Sequence, residues 1–196
     1  MTSDTAAAIA SYVTDMLALE HHLETALAGQ IKDLDEDPEC AQQLRGIHDT
    51  CEHHIVALEK LADQREQTGQ GVAELVKKAA STILGAGAAA VDFVRSEKLP
   101  KNLRDDYTAV SMACIGYVML HTTALSLGDD EVAAIAHSHL QNHAKSVMTL
   151  NAIIPGVVIR FLKSEGLPAR SDVLPTIAEN VESAWRSNEA VTSGDD

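Results

Sequence analysis

Aromatic side chains are the scarcest part of this sequence: one Trp, three Tyr and two Phe make up 3% of its 196 residues. Strands draw on aromatic and β-branched residues, so a β-sandwich or barrel is a poor fit. Basic residues are also few, 15 Lys and Arg against 29 Asp and Glu, for a formal charge of -14. Such a chain repels the phosphates of nucleic acid and the headgroups of anionic lipid, so neither nucleic acid nor a membrane is an expected partner. Cysteine is limited to Cys40, Cys51 and Cys114, an odd count without framework spacing. Reduced thiols and a cytoplasmic location are expected. The apolar run Ile153 to Leu162 is interrupted by Pro155, Gly156 and Arg160 and is too short to span a bilayer. The start, Met1-Thr-Ser-Asp-Thr-Ala-Ala-Ala, lacks a basic segment followed by an apolar core, so no signal peptide is expected.

What the sequence does have is an Ala-rich apolar fraction, 45% of the chain, that suits closely packed helices and one well-buried core. Ile9, Val13, Met16, Leu23, Leu27 and Ile31 recur at helical spacing and predict a first helix over 5–34. Asp35-Glu-Asp-Pro38 ends it. Leu44, Ile47, Ile55, Leu58 and Leu61 predict a second over 39–67, forming an antiparallel hairpin with the first. Residues 72–100, with the small-residue stretch Gly85-Ala-Gly-Ala-Ala-Ala90, read as a crossover along the bundle, and Lys98-Leu-Pro100 ends a helix there. A third long helix is expected over 103–127 with Tyr107, Val110, Cys114, Val118 and Leu125 on one face. Leu127-Gly-Asp-Asp130 then turns the chain into a fourth helix carrying Val132, Ile135, Val147 and Leu150. Pro155 should kink or end that helix. The expected organisation is an all-α four-helix bundle over 5–167. A short C-terminal docking helix over 168–187, anchored by Trp185, and a flexible acidic tail over 188–196 follow it.

Polar residues stand on the inward stripes. At about 100° per residue, Glu20 falls in the centre of the first stripe, where a carboxylate must be paired, protonated or metal-bound. Cys51 is central on the second helix, His54 lies at the stripe's edge and His48 flanks it. Cys114, Tyr117 and His121 belong to the inner arc of the third, and His139 and His143 stand four apart on the fourth. Counting from the turns puts Glu20 level with Cys51, Tyr117 and Cys114 level with His143, and His121 level with His139. These residues therefore converge on the interior. Imidazole, thiolate and carboxylate are the ordinary ligands of zinc, iron and copper. Each His taken alone reads better as an isolated core side chain, and only the set of four with Glu20 brings the two readings level. Cys51-x-x-His54 is a common pair, and His139-x-x-x-His143 lacks the internal Glu of the zinc-protease motif. No nucleophile elbow, phosphate-binding Gly loop or Cys-x-x-Cys pair occurs.

Leu17-Ala-Leu-Glu-His-His-Leu23, His54-Ile-Val-Ala-Leu-Glu-Lys-Leu61, Leu127-Gly and Leu140-Gln-Asn-His-Ala-Lys145 together resemble the bacterial ferritin-like stress-protein family typified by the YciE and YciF proteins, over about residues 8–154. The resemblance implies a ferritin-like bundle, commonly dimeric, with a two-metal carboxylate site and a role in stress response. Glu20 matches the acidic residue of that family's first helix, and His143 falls where its fourth helix has a glutamate. Around Val110-Ser-Met-Ala113 the family carries acidic and His residues that are absent here, and Cys51 stands where a Glu-x-x-His motif would place its Glu. These departures point away from an oxygen-rich di-iron cage and toward a nitrogen-rich, mononuclear site. The expected metal ligands are Glu20, His54, His121, His139 and His143, with Tyr117 and Cys51 beside them. Iron, zinc or another transition metal is the expected cofactor, with haem a weaker alternative, and a homodimer is the expected assembly. Two rival readings are a metal-free structural or stress protein, with Glu20 paired to an inward His, and a binding module that uses the crossover and Trp185. No residue pattern assigns a reaction.

Overall fold

The computed structural model describes residues 3–34, 37–67 and 98–192. Among them every regular element is an α-helix: α1 (Ser3–Lys32), α2 (Pro38–Gln67), α3 (Lys98–Ser126), α4 (Asp130–Ser164) and α5 (Leu174–Thr192). The first four form the bundle, with α1 against α2 and α3, and α4 against α3 and α2. Leu27, Leu44, Leu58, Leu103, Leu120 and Leu150 are all fully buried, each worth about 1.5–3 kcal/mol of transfer free energy.

The turns fix the topology. Asp37 accepts the Cys40 backbone N–H at 3.1 Å and so caps α2, with Pro38 in the first turn where its missing N–H costs nothing. The same carboxylate takes the Arg160 guanidinium at 2.7 and 2.9 Å, which ties α4 to the α1–α2 turn. At the other end Gly128 adopts φ +74°, a left-handed conformation that suits Gly alone. Asp129 caps α4 through the Val132 N–H and receives a two-pronged Arg65 contact at 2.5 and 2.8 Å. The end of α2 therefore meets the α3–α4 turn, so α2 and α3 run parallel. The crossover expected over 72–100 lies almost wholly outside the described residues. Its last three residues, expected to end a helix, instead open α3, with Pro100 in the first turn.

Three sequence expectations are corrected. The buried stripe of α3 is Leu103, Asp106, Val110, Ala113, Tyr117, Leu120 and Ala124, whereas Val118 and Leu125 are exposed. The helix is apolar nearly all round from Ala109 to Leu127, so spacing alone did not identify the inward face. Pro155 lies inside α4 and does not end it, the helix running on to Ser164 with Val157 and Ile159 buried beyond the proline. Trp185 is 53% exposed. Leu174, Ile177 and Val181 are the half-buried residues of α5 instead. That helix continues to Thr192, into the segment expected to be tail.

α3 and α4 are long and apolar enough to cross a membrane by length and composition alone. The same test is passed by core helices, and here their inner faces carry Tyr117, His139, His143 and Ser146. Beside Tyr117, a Cβ on Gly116 would collide with the Met16 sulfur. The Met16 side chain of α1 thus fills the space left by the missing side chain of Gly116.

Candidate metal centre

Four helices each deliver polar side chains to one buried point. Glu20 of α1 is 0% exposed, and its Oε1 accepts three hydrogen bonds: from His54 Nδ1 of α2 at 2.8 Å, from the Tyr117 hydroxyl of α3 at 2.5 Å and from His143 Nε2 of α4 at 2.8 Å. His139, one turn before His143, donates from Nδ1 to the Tyr117 oxygen at 3.0 Å, and its ring stacks on His54 with centroids 3.7 Å apart. The Asn142 amide donates to His54 Nε2 at 3.2 Å. That bond assigns the His54 proton to Nδ1 and leaves Nε2 an acceptor.

The electrostatics follow from this geometry. Burial alone would raise the Glu20 carboxyl, but hydrogen bonds from His143 and His54 outweigh it and bring the group down to about 2. Burial lowers His139 to about 3, so this ring is neutral. Burial, then the Glu20 charge, raises Tyr117 well above the ordinary phenol range. The same two causes raise Cys51. Cys51 therefore stands here as a protonated thiol, a poor ligand in that form.

The structure brings together Glu20, Tyr117, His54, His139 and His143, with Cys51 buried nearby. It does not bring in His121, which donates from Nδ1 to the Ala133 carbonyl at 2.8 Å and stacks on His137. Cys114 stays half-buried outside the cluster. Asn142 was missed as a partner, although it is three residues from His139 and so on the same arc. Also missed was Asp106, a buried carboxylate held by the Gln30 amide at 2.7 Å. Stepping back from Tyr117 by seven and four residues would have found it.

Glu20, His54 and His143 each offer a donor atom within 4.8 Å of the other two. Two imidazoles and one carboxylate are the donor set of mononuclear non-haem metal sites with open positions. Two buried atoms, Glu20 Oε2 and His143 Nδ1, have no hydrogen-bond partner. An orphaned carboxylate oxygen in a dry interior is costly, and a cation would relieve it. The residues present fit a single ion.

A solved structure of a protein from Xanthomonas campestris pv. campestris shares the fold, with a TM-score of 0.66 and 17% identity over 84% of this chain and 99% of that one. No protein with a curated description matches the chain. Residues 10–163 match the family described as "Domain of unknown function (DUF892)", whose YciF-like members are the ferritin-like proteins that the helix motifs resemble. The chain belongs to this family.

Proposed function

We propose that the bundle binds one transition-metal ion, iron or zinc, through Glu20, His54 and His143. The observation that carries this reading is the convergence of these ligands from α1, α2 and α4 on one buried point, with Glu20 Oε2 left unpartnered. For His54 to ligate through Nδ1, the Asn142 amide would present its oxygen to Nε2–H, freeing the Nδ1 lone pair for the ion and orienting the ring, as hydrogen-bond partners do for metal-bound imidazoles. Tyr117, bonded to Glu20 and accepting from His139, would fix the carboxylate and hold a proton beside it. If the ion is iron, open positions on it supply chemistry with oxygen or peroxide. Haem is set aside because His54, His139, His143 and Tyr117 pack directly on one another, with ring centroids from 3.7 to 5.8 Å apart, where a macrocycle would have to lie. The setting we propose is the cytoplasm, on the three free cysteines, and the role a stress response, on the family resemblance.

The test is elemental analysis and an absorption spectrum of the untagged protein, as isolated and after reconstitution with Fe(II), Co(II) or Zn(II). After desalting, close to one tightly held ion per chain is expected, lost in Glu20→Gln and in His143→Leu. Metal well below one equivalent after reconstitution sinks the reading. A second reading has its own support: three donors on one Glu20 oxygen close the network without any ion. In that case the bundle is a structural protein, and the same variants change stability alone.

We also propose a homodimer through the outer face of α3. Met112, Ile115, Met119 and Leu125 are exposed there, and no Asp, Glu, Lys or Arg occurs from Tyr107 to Gly128. A charge-free strip on a chain of net charge -14 is where two copies can meet with least repulsion. Light scattering should give twice the chain mass, and Ile115→Glu with Met119→Glu should halve it. A wild-type monomer would end this proposal.

A further inference from the structure

A second group of metal-ligating side chains lies one helical turn outward from the buried centre. Glu24 follows Glu20 by four residues on α1. His48 and Glu52 stand four apart on α2, on either side of buried Cys51. His48 Nε2 lies 3.1 Å from Glu24 Oε1, and its Nδ1 lies 3.8 Å from Glu52 Oε2 and 3.6 Å from Asp49 Oδ1. Glu24, His48 and Glu52 each place one donor atom within 4.8 Å of the other two. Glu24 and His48 are half-buried and Glu52 is exposed, so the group opens to solvent.

The carboxylates of this group lack the guanidinium partners that Asp37 finds in Arg160 and Asp129 in Arg65. Glu24, Asp49 and Glu52 surround one imidazole, with the Thr25 hydroxyl also on Glu24, and among the described residues none of the three pairs with Lys or Arg. Three carboxylates around one imidazole form a focus of negative potential. The donor set of oxygen plus imidazole accepts a divalent first-row ion. One turn inward, about 5.4 Å along the helix axis, lies Glu20 with its unpartnered oxygen.

We propose that Glu24, His48 and Glu52 form a second, solvent-side site for a divalent cation, from which the buried centre is loaded. The binding claim stands by itself, and the loading claim rests on the metal reading of Glu20, His54 and His143. Oxygen-rich and open to water, the outer site exchanges its ion quickly. The inner one, nitrogen-rich and closed, holds its ion.

The experiment is a Mn(II) titration of the full chain at neutral pH, with free Mn(II) read by electron paramagnetic resonance. Wild type should bind two ions per chain, and the Glu24→Gln/Glu52→Gln variant one. In that variant uptake of the remaining ion should slow by roughly tenfold, because a charged funnel raises on-rates by at least that factor. His48→Gln should also lose the outer ion, and circular dichroism should show all variants helical. If the double variant binds Mn(II) like wild type, or if wild type lacks a class of sites that His48→Gln removes, the outer site falls. If Glu20→Gln leaves two ions bound while Glu24→Gln/Glu52→Gln loses one, the outer site stands and the buried reading fails, and loading with it. Unchanged uptake kinetics in a double variant that has lost the outer ion overturn loading alone.

Discussion

Three carboxylates are buried among the described residues; Asp129 is answered by Arg65, and the other two, Glu20 at the centre and Asp106 near the start of α3, are driven in opposite directions. Glu20 collects three donors on one oxygen and falls to about 2. Asp106 has the Gln30 amide alone, and burial raises it to about 6. Its Oδ2 and the Gln30 Oε1 are both without a partner. Burial is common to the two, so it does not decide the charge state: the number of donors does. A bundle can thus carry a buried anion at one level and a carboxyl that is half-neutral near pH 6 at another.

The largest expected effect comes from removing the well-partnered carboxylate. Glu20→Ala strands His54, Tyr117 and His143 together and should cost about 3–5 kcal/mol of unfolding free energy, as breaking a buried ion-paired network does. Chemical denaturation at pH 7 measures it, and a loss below about 1 kcal/mol would show that water replaces the carboxylate. The acid limb follows the same logic. The folded-state value of Glu20 lies below its ordinary 4.5, so its contribution is complete above that pH and is lost as pH falls toward 2.

Asp106 should behave in reverse. Its folded-state value lies above the ordinary 3.8, so its contribution is complete below that pH and is lost as pH rises through about 6. Asp106→Asn should therefore stabilise the protein at pH 8, on the order of 1–3 kcal/mol, and be near neutral at pH 4. The crossing of the two stability-versus-pH curves is the observable. Parallel curves would mean that Asp106 is ionised and satisfied, and the contrast with Glu20 would collapse.

The same contrast explains what was legible in the sequence. The bundle was readable because Leu and Ile repeat at helical spacing on α1 and α2, and Glu20 stood out as the one charge inside such a stripe. Tyr117, His139 and His143 could be placed with it because the Leu127-Gly128 turn fixes their levels. His121 was grouped with them although its imidazole bonds the Ala133 carbonyl. Level-matching from a turn fixes height along the axis and not the direction in which a ring leaves its helix. Asp106 was missed because α3 is apolar on almost every side, which erased the stripe against which a buried acid would be noticed.

Tyr117→Phe keeps the ring and removes one donor from Glu20 and one acceptor from His139. A loss of about 1–2 kcal/mol is expected, smaller than for Glu20→Ala because two donors remain on the carboxylate. In a Glu20→Gln background the Tyr117 effect should shrink, since its strength derives from the charge it meets. A double-mutant cycle with no coupling would separate Tyr117 from the centre.

Asn142→Ala should have the smallest effect, about 0.5–1.5 kcal/mol, and the most diagnostic one. Asn142 touches neither Glu20 nor Tyr117, and its amide meets only His54 Nε2. Its loss leaves the Glu20 network intact but removes the donor that holds Nε2 as an acceptor. In the metal-free wild type the His54 ring should show one fixed tautomer, with the proton on Nδ1, by nitrogen-detected magnetic resonance. In the variant that signature should broaden as the ring exchanges between tautomers. A fixed Nδ1 tautomer surviving without Asn142 would mean that Glu20 alone orients His54. The donor count on the carboxylate would then set not only its own charge but the tautomer of every ring that binds it.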